Sequence, residues 1–172
     1  MRDKPVLLLV PGLMCDATSW GAVPSGLPEF DCRVIDHGQA DSLVQMAEQL
    51  LAQAPARFAL AGHSMGGRVA LEVMRLAPER VTHLGLFDTG HLPKPVGEAG
   101  EEEVRKRMAL LAIAREQGVR AMAAEWVKGM VAPQRLSDAA LIEDILAMFE
   151  RRSADTFERQ LRALIQRPDA TA

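Results

Sequence analysis

Cysteine is scarce in this chain. Cys15 and Cys32 are the only two, and their separation fits neither a metal-ligand nor a redox pattern. The pair is compatible with a reducing compartment, and the chain is read as cytoplasmic. No stretch approaches the ~20 consecutive apolar residues that a membrane-spanning helix needs. The run Val6 to Val10 behind Met1-Arg2-Asp3-Lys4 is short, is broken by Pro11-Gly12 and has no small-residue cleavage site placed after it. That argues for a buried first strand over a secretion signal. A basic block is missing too. The net charge is −3 with Lys and Arg dispersed, so neither nucleic acid nor an anionic membrane is expected as a partner. There is no internal repeat and no low-complexity tract. What remains is 172 residues, 48% apolar and 25% charged, enough for one globular domain with a sizeable core.

The first half alternates two periodicities. Val6 to Val10 is a continuous apolar run, as expected of a strand covered on both faces. Phe30 to Asp36, Arg57 to Ala61 and Val81 to Phe87 read as three further strands. Asp41 to Ala54 and Gly66 to Ala77 read as helices, the first with Leu43, Met46, Ala47, Leu50 and Leu51 on one stripe, the second closed by Pro78. Strands separated by helix-length crossovers predict a parallel sheet with flanking helices. After a junction at Gly90 to Gly100 the strand signal ends. Glu101 to Gln117 predicts a helix with Val104, Met108 and Leu111 inward and Gly118 as terminator. Val119 to Val131 follows, with Met122, Trp126 and Met130 on its stripe. Ser137 is expected to cap a third helix and Ser153 a fourth, ended by Pro168. The acidic cluster Glu101-Glu102-Glu103 reads as a solvated helix start.

Gly62-His63-Ser64-Met65-Gly66-Gly67 sits where the third strand should end and a helix begin. A serine between small residues at such a turn can be held in a strained backbone with its hydroxyl projecting outward, the arrangement of a nucleophile elbow. The ordinary alternative is a helix N-cap serine after a glycine turn. A nucleophilic serine also needs backbone N–H groups aimed at the oxygen that becomes negative. Met65, at the start of the helix, is one candidate. The loop after the first strand should supply the other, and Gly12 frees the backbone there to turn, so Leu13 is assigned, with Met14 as the lesser choice.

Taken together, Val6-Leu7-Leu8-Leu9-Val10-Pro11-Gly12-Leu13, Trp20, Asp36-His37-Gly38-Gln39-Ala40-Asp41-Ser42, the Ser64 motif and Leu86-Phe87-Asp88-Thr89 make the chain resemble the first two-thirds of an α/β-hydrolase-fold enzyme. Pro11-Gly12 stands where many members have His-Gly. The resemblance implies a hydrolase core over residues 1–90, a helical lid over 91–172, and catalytic residues in the order serine, acid, histidine. In most members the acid and histidine follow the lid, so the chain reads as lacking the last third of the fold. None of its four histidines matches the family's base: His63 adjoins the serine, His37 is expected on a solvated turn, His83 lies within a strand and His91 at the junction. Asp88 is a weak candidate acid and otherwise a turn cap. Cys15 and Trp20 read as core.

The resemblance therefore implies a serine-dependent hydrolase acting on a small carboxylic ester or related acyl substrate, with no cofactor and no metal. The alternatives are a non-catalytic remnant or interaction module, and a C–C bond hydrolase or lyase on the same fold. Without further strands, Val81 to Phe87 would lie at an open sheet edge and invite self-association.

Overall fold

The structure is a computed structural model describing residues 4–171; the charged opening Met1 to Asp3 lies outside the described residues. Four strands, β1 (Val6–Val10), β2 (Asp31–Val34), β3 (Phe58–His63) and β4 (Val81–Phe87), form one parallel sheet in the order β2-β1-β3-β4. The period-two alternation of side chains divides each strand between two interiors. Leu8, Val10, Phe58 and Leu60 enter a large cluster with helices α2 (Leu43–Gln53) and α3 (Met65–Leu76). Leu7, Leu9, Ala59 and Ala61 face the other way, onto Trp20 and the segment that carries the short α1 (Val23–Gly26). This explains why β1 and β3 read as unbroken apolar runs.

Four further helices follow: α4 (Glu98–Glu116), α5 (Val119–Met130), α6 (Ala139–Glu150) and α7 (Ala154–Ile165). Their inward residues Leu111, Met122, Phe149, Phe157 and Leu161 belong to the same cluster as the sheet and α2–α3. Trp126 joins them edge-on to Phe149 (5.9 Å between ring centroids) and tilted on Phe157 (5.4 Å). Ion pairs fasten this layer to the loops at the strand ends: Arg151 to Asp16 at 2.7 Å, Arg152 to Asp36 at 2.9 Å and Arg162 to Asp41 at 3.3 Å. All have an exposed partner, so apolar burial contributes far more than they do.

Several expectations change in detail. The cap of α6 is Asp138, whose carboxylate accepts from Leu141 N–H, and not Ser137; Ser153 does cap α7. β2 is shorter than Phe30 to Asp36 because Asp36 turns to accept from Gly38 N–H. Met108 and Met130 are exposed, since α4 and α5 bury a narrower stripe than their sequences offer. His37 is buried, not solvated. Its Nε2–H donates to Pro11 O at 3.0 Å, and burial lowers its pKa, which favours the neutral ring.

No helix among the described residues is long and apolar enough to cross a membrane. β4 pairs with β3 on one side only, and Leu84, Leu86 and Phe87 are 40, 42 and 51% exposed. Beside them an apolar trough of about 610 Å³ runs over Leu7, Leu9, Trp20, Leu27, Ala59 and Gly85. An exposed apolar edge of this kind is a template for pairing. The isolated chain should show concentration-dependent association by light scattering, and Leu84→Lys should reduce it; a compact monomer at every concentration would show that the edge is inert.

Candidate active site

Among the described residues, three non-glycine positions have φ in the left-handed region: Met14 at 61°, Ser64 at 53° and Asp88 at 45°. Each follows the carboxyl end of a parallel strand, β1, β3 and β4 respectively. Backbone strain of this kind costs roughly 1–3 kcal/mol per residue and persists only where surrounding packing enforces it. Here it is gathered at one end of the sheet.

Ser64 forms the corner between β3 and α3, with φ 53° and ψ −118°. Its side chain does not cap the helix, so the ordinary N-cap arrangement is absent. Backbone contacts hold the corner: Ser64 N–H donates to Phe87 O at 2.9 Å, and Ser64 O accepts from the Thr89 hydroxyl at 2.7 Å and from Gly67 N–H at 3.0 Å. Glycine is required by close approach. A Cβ on Gly66 would lie 2.0 Å from Val10 O, and one on Gly62 would lie 2.4 Å from Gly66 O. Side chains at either position would push the first turn of α3 away from β1 and flatten the corner.

Leu13, Ser64 and Met65 line a single cavity of about 240 Å³, together with Trp126, Leu164 and Arg107. Among the described residues, the N–H groups of Leu13 and Met65 donate to no other group. Met14 N–H, the lesser candidate, is taken by Gln160 Oε1 at 2.7 Å. No side chain among the described residues is hydrogen-bonded to Ser64 Oγ. His63 Nε2 lies 3.9 Å from Asp88 Oδ2, and its Nδ1 is buried and unpartnered. Asp88 itself is largely exposed. His83 and His91 are exposed, and His37 is committed to Pro11. Cys15 is buried beside the loop, and that burial pushes its thiol up to about 12, which leaves it unionised and poor as a nucleophile.

Sequence periodicity missed an ion-pair cluster beside the site, of which Arg68 and Arg107 line the cavity. Glu103, expected on a solvated helix start, receives Arg167 at 2.6 Å and Arg107 at 3.0 Å. Arg68 approaches the same group with its guanidinium donating to Leu92 O at 2.8 Å. The Arg167 hydrogen bonds lead the causes that hold the Glu103 carboxyl down at about 2. Partners 64 residues apart leave no local signature.

No model of a protein family matches the chain. A Haemophilus influenzae protein carrying an esterase/lipase name is 28% identical over 175 residues, covering 94% of this chain and 58% of that protein. The pimeloyl-[acyl-carrier protein] methyl ester esterase of Nitrosomonas europaea is 34% identical over 93 residues, 49% of this chain and 37% of the esterase. The enol-lactonase of Burkholderia xenovorans superposes with a TM-score of 0.79 at 18% identity, over 95% of this chain and 65% of the lactonase. The fold is that of the α/β hydrolases. Within this α/β-hydrolase fold the chain spans less than two thirds of the length of each of those proteins, and Arg107 of α4, Trp126 of α5 and Leu164 of α7 line the cavity that holds Ser64.

Two outcomes follow. Gly66→Ala should destabilise the protein by at least about 3 kcal/mol in denaturant titration, because its Cβ meets fixed backbone. The depressed Glu103 carboxyl adds stability that is complete above its ordinary value of 4.5 and is lost as pH falls toward about 2. Glu103→Gln should therefore lower stability at neutral pH and flatten its decline over that acid range, as followed by thermal melts.

Proposed function

We propose that the chain carries the nucleophile and oxyanion-binding part of a hydrolase acting on a small carboxylic ester. The observation that carries this reading is the strained corner at Ser64, which shares one cavity with the uncommitted N–H groups of Leu13 and Met65. The esterase names of the relatives support the reaction class.

In this reading Ser64 Oγ attacks the ester carbonyl as a base removes its proton. The carbonyl π electrons move onto oxygen, and the resulting oxyanion accepts hydrogen bonds from Leu13 and Met65 N–H. Collapse expels the alcohol, which takes the proton, and leaves the acyl group on Ser64; water then repeats the sequence and releases the acid. No histidine among the described residues reaches Ser64 Oγ. The resemblance to the α/β-hydrolase fold implies a base, and an acid that orients it, after the lid, and the reading places them there. Asp88 is a secondary candidate for the acid. A serine corner without its base should retain only residual activity.

A second reading, an interaction module without turnover, draws on the open β4 edge and its exposed Leu84, Leu86 and Phe87. Titration with butylboronic acid separates the two. A tetrahedral adduct should form on Ser64, be visible by boron NMR and be absent from Ser64→Ala, while p-nitrophenyl butyrate turnover by the isolated chain stays negligible. No adduct, or one that survives Ser64→Ala, would remove the nucleophile from the proposal. Brisk turnover that is lost in Ser64→Ala would show that the base is already present.

A further inference from the structure

Four backbone groups of the loop after β1 are committed to hydrogen bonds. Pro11 O accepts from His37 Nε2–H at 3.0 Å, and Gly12 O accepts from Cys15 N–H at 3.1 Å. Leu13 O accepts from the Cys15 thiol at 3.4 Å, and Met14 N–H donates to Gln160 Oε1 at 2.7 Å. Three of these bonds come from the loop itself or from the neighbouring strand end. The fourth comes from 146 residues away, on the buried face of α7.

Gln160 is 2% exposed and stands on that face with Phe157, Leu161 and Leu164, where a leucine would pack at no polar cost. Burying a primary amide is unfavourable unless it is hydrogen-bonded. Its carbonyl is spent on a residue whose φ is 61°, so the bond holds a strained backbone turn as well as a donor. Met14 N–H and Leu13 N–H are neighbours on one turn. Fixing the first within the packed layer leaves the second free at the Ser64 cavity.

We infer that Gln160 is a positioning residue for the oxyanion site: by accepting from Met14 N–H it sets the direction of Leu13 N–H and ties the lid to the catalytic loop. The inference rests on the Ser64 reading above, and it names the lid residue on which that site depends. Gln160→Leu removes the acceptor while keeping an apolar side chain in the layer. Met14 N–H is then buried without a partner, and the turn rearranges to satisfy it at the expense of Leu13. Gln160→Glu keeps a carbonyl acceptor in either protonation state.

The test uses the isolated chain, amide hydrogen exchange and butylboronic acid. In the wild type Met14 N–H should be protected from exchange, and adduct formation should move the Leu13 amide proton downfield. Gln160→Leu should lose the Met14 protection, weaken the adduct by about tenfold or more and abolish the Leu13 shift, with Gln160→Glu restoring all three. A general loss of stability would not produce that pattern of selective shift and rescue. Unchanged adduct affinity and Leu13 shift in Gln160→Leu would overturn the inference. Should Gln160→Leu fail to fold, the wild type decides: Met14 exchanging at the rate of an open loop rejects the anchor. If the wild type forms no adduct, the Ser64 reading falls and the anchor survives only as a structural bond, still judged by Met14 protection.

Discussion

The contact on which the rest of the molecule depends is the approach of the first turn of α3 to the end of β1. With Gly66 set against the Val10 and Pro11 carbonyls, the helix starts immediately after Ser64 and almost touches the neighbouring strand. That proximity brings the β1 loop and the β3 corner to one cavity. It also forces Ser64 out of the ordinary allowed regions, because the chain must reverse from extended to helical within a single residue. The corner is then stapled to β4 through Phe87 O and the Thr89 hydroxyl, so three adjacent strands share the strain.

Much of this was legible because local chemistry decides it. β1 and β4 lie where their apolar runs begin and end, and the glycines around Ser64 mark the close approaches that no other residue allows. Ser153 announces α7 because N-capping is a short-range bond. What escaped was long-range. His37 looks like a turn residue in sequence, and only Pro11, 26 residues away, makes its burial tolerable. Glu103 looks like one more charge in an acidic triplet until Arg167 folds back on it. Gln160 breaks the apolar stripe of α7 with no local sign that its partner is a backbone amide near the start of the chain. The short turns at 17–20 and 23–26 contain too few residues for any periodicity to show.

The two faces of the sheet are unequal. One is closed by α2 and α3; the other is covered in part by Trp20 and the α1 segment, which leaves the trough beside β4. Trp20 meets Phe87 edge-on there at 6.1 Å, and its indole N–H is buried without a partner, a residual cost on the less finished side.

The helical layer and the sheet share one interior, since Leu111, Met122, Phe149 and Phe157 are in the same cluster as Leu8, Val10 and Leu60. The connector between them, from Asp88 to Gly97, carries no regular structure. A protease nick in that connector would thus divide the polypeptide without releasing either piece: the two fragments would stay docked, melt together, and dissociate only when the common interior was exposed to water.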